Sequence, residues 1–171
     1  WDATGDQAYL SAANRQWRRL RQHLARDKGW VIKLAYGHCS EPSDAGRCRG
    51  QNAYMLALTL IGVARYHKDT GDPVALQGLT AGIDQLIRDC WNQKHRAYRT
   101  TSCKHYRHIP PTGQNSPAAL ICQAIAYESS LTNNAEHRRI GREALTTLIA
   151  AGIKNLPTDN LKGQTGYGSM M

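Results

Sequence analysis

The sequence predicts an all-α protein made of helical hairpin repeats, about 2.5 hairpins within 171 residues, with long loops between them. A recurring turn is the first observation behind this. Thr4-Gly5-Asp6 returns as Thr70-Gly71-Asp72 after 66 residues, and as Thr132-Asn133-Asn134 after a further 62. A second marker keeps the same order and nearly the same period. Arg49-Gly50-Gln51-Asn52 is echoed by Thr112-Gly113-Gln114-Asn115 63 residues on, and by Lys162-Gly163-Gln164-Thr165 after another 50, while Cys39 and Cys103 stand 64 apart. Two ordered marker sets at one period indicate a structural repeat. The third observation is the apolar periodicity of the segments that flank the turns, which is helical.

Taken along the chain, the first helix is expected over 6–26, after the Thr4 turn, with Leu10, Ala13, Trp17, Leu20 and Leu24 as its stripe. The second, over 51–68, is apolar nearly all round from Tyr54 to Tyr66 (Met55, Leu56, Leu58, Leu60, Ile61, Val63), the pattern of a helix buried on most sides. At the turn, Gly71 suits the left-handed residue that ends a helix, Asp72 can cap the next, and Pro73 fits its first turn. A third helix over 73–90 carries one stripe: Leu76, Leu79, Ile83, Leu86 and Ile87. The pair then repeats. Ala118 to Tyr127 is apolar all round within a helix over 116–131, and Ile140, Ala144, Leu145, Leu148 and Ile149 stripe a helix over 134–152. Asn133 and Asn134 can take the parts of Gly71 and Asp72, since Asn tolerates the left-handed region and also caps. The loops 27–50 and 91–115 hold most of the Trp, Tyr, His, Pro and Cys. They are expected to be irregular or short β structure, and to carry function.

A composition of 41% hydrophobic and 20% charged residues excludes a disordered or collagen-like chain. No stretch reaches the roughly 18 apolar residues of a membrane span, so no membrane partner is expected. The length suits one domain, 1–171. A balance of 22 Lys and Arg against 13 Asp and Glu favours an anionic partner. Two runs carry much of it: Arg15 to Lys28, and Arg88 to Arg107. The five cysteines have no CxxC spacing. Cys39 and Cys48 flank one short loop and Cys90 and Cys103 another, so two disulfides are open to them, which would suit a secreted or periplasmic protein; five reduced thiols fit the count as well. Cys122, in an apolar run, reads as a small buried hydrophobe.

Inner helices enclosed by outer helices at this period resemble an (α/α) toroid, the fold of many glycoside hydrolases, polysaccharide lyases and sugar epimerases. Arg49-Gly50-Gln51 leading into an apolar helix, then Arg65-Tyr66 and Thr70-Gly71-Asp72-Pro73, is similar to the Arg-Gly-Gln helix and Thr-Gly-Asp-Pro turn of unsaturated glucuronyl hydrolases. The likeness covers one hairpin, 47 to 90, and implies a carbohydrate-active protein whose partner is an acidic polysaccharide or oligosaccharide. A closed toroid needs about twice this much chain. The expectation is therefore a fragment of a larger one, whose open helical ends are covered by the rest of its own chain or by another subunit.

In such a toroid the loops and the starts of the inner helices line a cleft. Gln51-Asn52 and Gln114-Asn115 would face it, with Arg49, Arg107 and His108 as further substrate-binding candidates. Amides offer paired donors and acceptors for sugar hydroxyls or a carboxylate, and helix N-termini favour anions. Within Cys103-Lys104-His105-Tyr106-Arg107-His108, His105 and Tyr106 are the candidates for abstracting the proton alpha to a uronate carboxylate, with an amide steadying the enolate. His38 is a third catalytic candidate; with Glu41 and Asp44 it forms a cluster whose carboxylates could serve glycoside hydrolysis. The leading set includes no metal and no cofactor, although His38, Cys39, Cys103 and His105 occupy equivalent loops and could form a four-ligand site. Trp30, Trp91, Tyr36 and Tyr98 are possible sugar-stacking platforms, with core packing the plainer reading for Trp91. Lyase and glycosidase activity both remain open. So do a non-catalytic helical scaffold for a protein partner and nucleic-acid binding through the basic loops.

Overall fold

The computed structural model describes residues 7–27, 29–34, 38–39, 41, 43, 46–105 and 116–154. Five helices account for most of them: α1 (Gln7–Asp27), α2 (Ala53–Thr70), α3 (Pro73–Cys90), α4 (Ser116–Thr132) and α5 (Ala135–Lys154). Two antiparallel strand pairs lie between helices. β1 (Ile32–Lys33) pairs with β2 (Arg49–Gly50), and β3 (Trp91–Asn92) with β4 (Ala97–Tyr98). The chain is thus all-α with short β in its loops, as the sequence predicts. The Thr4 turn and the Lys162 echo lie outside the described residues.

Both expected turns form by the chemistry their residues allow. Gly71 sits at φ 68° and its N–H donates to the His67 carbonyl at 2.8 Å, ending α2. Asp72 caps α3 by accepting from the Val74 N–H at 2.9 Å, and Pro73 opens the helix. Asn133 likewise adopts φ 56° and donates to the Ser129 carbonyl, while the Asn134 side chain accepts from the His137 N–H at 3.1 Å. A Cβ at Gly71 would meet nothing within 4 Å, so replacing it tests conformation alone. Gly71→Ala is expected to cost about 1–2 kcal/mol, the penalty of a left-handed residue. Asn133→Gly should be neutral or slightly stabilising. Thermal denaturation of the two variants checks both.

α2 packs against α3 and against α4, and α4 packs against α5, so α2 and α4 form the middle of the bundle. Leu56, Leu60 and Val63 of α2, Leu79, Ile83 and Leu86 of α3, Ile121 and Ile125 of α4 and Ile140 of α5 are buried together. Each contributes about 1.5–3 kcal/mol of burial. Gly82 lets the layers close: a Cβ there would fall 2.5 Å from Leu60 Cδ2 and 2.6 Å from Trp30 Cζ3. α1 lies on α3 at the edge, anchored by Trp17.

Three expectations about burial need correction. Met55 and Leu58 of α2 are exposed, at 55% and 37%, so this helix is covered on one broad side rather than nearly all round. Leu145 and Ile149 also face outward, leaving Ile140 and Ala144 as the buried part of the α5 stripe. Trp30 and Tyr98 are core side chains, not open platforms. Tyr98 is 1% exposed, and the Trp30 ring packs on the core while its Nε1 donates to the Leu20 carbonyl at 3.0 Å. Trp91 packs at the core margin, 5.0 Å from the Tyr98 ring. Tyr36 lies outside the described residues.

Candidate functional site

The loops before α2 and after β4 meet at one end of the helices. Their backbones run side by side: Gln51 N–H donates to Ser102 Oγ at 2.8 Å, Ser102 N–H to the Gln51 carbonyl at 3.0 Å, and Ala53 N–H to the Thr100 carbonyl at 2.9 Å. Asn52 forms an antiparallel bridge with Thr101. A Cβ at Gly50 would collide with Ser102 Oγ, so any larger residue would displace the hydroxyl that accepts from the Gln51 N–H. Beneath this seam lies a second, small apolar cluster of Leu34, Cys39 and Cys103, with Cys48 packed against it.

Three thiols and an imidazole converge in that cluster. The ligand atoms of Cys39, Cys48, Cys103 and His105 all lie within 4.8 Å of one another. Cys48 Sγ is 3.3 Å from His105 Nδ1, and the same nitrogen is 3.5 Å from a Glu41 carboxylate oxygen. Cys39 and Cys103 are buried, Cys48 is half-buried and His105 stands on the rim. The Cys39 thiol is lowered to about 6, first by a backbone hydrogen bond from Cys48, and further by the Glu41 backbone and the side chains of Cys103 and His105, against the opposing effect of burial. The Cys48 thiol is pushed up to about 11, first by its hydrogen bond with the Cys103 side chain and then by burial. The cluster therefore favours one thiolate first, at Cys39, held by donors around it.

All five cysteines are free thiols. The sequence left a Cys90–Cys103 bridge open, but the two belong to different cores. Cys90 closes α3 against the main core, where burial pushes its thiol up to about 12. Cys122, half-buried in α4, donates to the Gly141 carbonyl at 3.4 Å, and burial raises it to about 11. The four-ligand set suggested by the sequence also changes. Cys48 takes the place given to His38, because the β1–β2 pairing carries Cys48 back to Leu34, whose N–H donates to the Cys48 carbonyl.

His38 instead faces the start of α2. Asn52 Nδ2 lies 3.1 Å from its Nδ1 and 3.0 Å from its Nε2, so the amide donates to whichever nitrogen lacks a proton. Asn52 Oδ1 meanwhile caps the helix, accepting from the Met55 N–H at 3.0 Å. Beside it Gln51 is 2% exposed, and neither its Oε1 nor its Nε2 has a hydrogen-bond partner among the described residues. Arg49 is exposed on β2.

Of the site residues expected from sequence, His38, His105, Arg49, Gln51 and Asn52 are thus brought to one end of the molecule. Tyr106, Arg107, His108, Gln114, Asn115 and Asp44 lie outside the described residues. Cys48 is the functional candidate that sequence reasoning placed only in a possible bridge with Cys39. Its spacing from Cys39 was visible, but its other partners, Cys103 and His105, sit more than fifty residues away. No family model, curated protein or solved structure matched this chain.

Proposed function

We propose that the loop end of α2 binds an acidic, uronate-containing glycan within a toroid-like arrangement of helical hairpins. The observation that carries this reading is the buried amide of Gln51. An amide with four unmet hydrogen-bonding positions costs stability unless a ligand or water completes it, and sugar hydroxyls and carboxylates match its donors and acceptors. Asn52 adds a second amide, and the N-terminus of α2 adds positive potential suited to an anion. His38 accepts from the Asn52 amide, and would serve as a base once that amide turns to the ligand and frees the ring nitrogen. In a lyase reaction it would take the proton alpha to the uronate carboxylate, the carbon–oxygen bond to the leaving sugar would break as a carbon–carbon double bond forms, and the departing oxygen would take a proton from water.

Gln51→Leu keeps the volume of the side chain and removes its polar atoms. It is expected to lower retention on immobilised polyuronate or heparin by roughly tenfold or more, the scale of losing hydrogen bonds to a charged ligand, with the circular dichroism unchanged. Growth of the unsaturated-uronate ultraviolet band on adding polymer, lost in His38→Ala, would mark lyase action. Equal retention of Gln51→Leu and the parent chain would overturn the reading. Arg15, Arg18, Arg19 and Arg21 are exposed on α1, so binding of DNA that survives physiological salt would favour a nucleic-acid partner instead.

A further inference from the structure

We propose that Cys39, Cys48, Cys103 and His105 bind one zinc ion as a closed structural site. The inference does not depend on the glycan reading. Four ligand atoms from two separate loops already lie within 4.8 Å of one another. A tetrahedral zinc site with zinc–sulfur bonds of about 2.3 Å puts its ligand atoms about 3.8 Å apart. Contraction of an ångström or less therefore completes the sphere, and Cys48 Sγ and His105 Nδ1, at 3.3 Å, are inside that spacing before any ion enters.

The donor set selects the metal. Three thiolates and an imidazole are soft to borderline ligands and suit zinc, while magnesium and calcium require oxygen. Four protein ligands leave no open position for water or substrate, which is the mark of a structural rather than a catalytic site. Binding balances as one Zn²⁺ plus three cysteine thiolates and a neutral imidazole giving a four-coordinate centre of charge −1, with each sulfur that is still a thiol releasing its proton. Arg47, Arg49 and Lys104 are sequence neighbours of Cys48 and Cys103 and offset that charge.

The surroundings give the ion a task. β1 and β2 are two residues each, and among the described residues the apolar cluster beneath the seam is Leu34 with Cys39, Cys48 and Cys103, so the ligand side chains are themselves its packing. An ion would tie the segment before α2 to the segment after β4, with Gln51 and Asn52 one and two residues beyond β2. The path inward is short, because His105 is 47% exposed at the side chain while Cys39 is fully buried.

The experiment uses the full chain, reduced and loaded with zinc or cobalt. We expect about one equivalent of zinc by elemental analysis after desalting. The cobalt form should show a thiolate-to-cobalt charge-transfer band and the strong visible absorption of tetrahedral geometry. Cys48→Ser and His105→Ala should each lose most of the bound metal; His105 is on the rim, so that variant tests the site without emptying a core. Cys122→Ser and His38→Ala should keep it. Zinc should also shield three thiols from alkylation. Failure of the reduced parent chain to retain zinc, a cobalt spectrum without the thiolate band, or retention that is equal in His105→Ala would each overturn the proposal. So would a native Cys39–Cys48 disulfide, read as a two-hydrogen mass loss.

Discussion

Replacing His137 by alanine is expected to destabilise the fold by about 3–5 kcal/mol, as measured by urea denaturation. His137 is the single imidazole between two carboxylates of neighbouring helices. Its Nδ1 lies 2.9 Å from Glu128 on α4, which is fully buried, and its Nε2 lies 2.9 Å from Asp84 on α3. Thr80 and Thr132 donate to the other Glu128 oxygen at 2.9 and 3.0 Å. Taking away the ring leaves the buried Glu128 side chain with Thr80 and Thr132 as its remaining side-chain partners among the described residues, and removing one partner of a buried polar pair costs far more than the pair itself is worth. The matching double variant, Glu128→Leu with His137→Leu, should accordingly lose much less than the sum of its single changes. Additive losses, or a His137→Ala cost below about 1 kcal/mol, would contradict this account.

Trp17→Ala is expected to cost a similar amount, about 3–5 kcal/mol, but with a local signature. The Trp17 ring is 3% exposed and lies over Gly78, where a Cβ would come within 2.9 Å of its Cη2. Its Nε1 donates to Asp72 at 2.9 Å, and the Tyr66 ring is 5.8 Å away. Tyr66 in turn donates to Asn14 at 2.7 Å. Among the described apolar side chains of α1, Leu10, Ala13, Leu20 and Leu24 are only half-buried, while Trp17 is buried. The indole is therefore what docks this helix, and its loss should free α1 before the bundle melts. Hydrogen exchange followed by mass spectrometry should show α1 amides losing protection while those of α2 to α5 keep theirs. A uniform rise across all five helices would contradict a local docking role.

Helices and turns were the most legible part of the sequence, because they are decided within a few residues. Gly71-Asp72-Pro73 and Asn133-Asn134 carry their capping chemistry locally, and the structure uses it as read. The faces of the helices were less legible. Met55 and Leu58 sit in a run that is apolar all round, and nothing in that run tells which side a neighbour covers. On α5 the stripe is visible, but not how far along and around the helix its neighbour reaches, so Leu145 and Ile149 read as covered. The site was half legible: Gln51, Asn52, His38 and His105 stood out by type and by position beside a helix start. Their partners did not, since the pairing of Cys48 with His105 and of Gln51 with Ser102 is made by loop register across more than fifty residues. Buried Glu128 was hidden because a carboxylate at the end of an apolar helix ordinarily faces water.

The seam between the two loops has a consequence for how the chain reaches this structure. Each hairpin closes over a turn of a few residues, so α2 with α3, and α4 with α5, can form by quick local steps. The seam joins residues 51 apart at Gln51 and Ser102, and 57 apart at Cys48 and His105. Contacts that distant in sequence carry a loop-closure entropy that must be met before they contribute anything. The end of the molecule that bears the candidate site is thus built from contacts that no single hairpin can make, and it exists only once the segments before α2 and after β4 have come together.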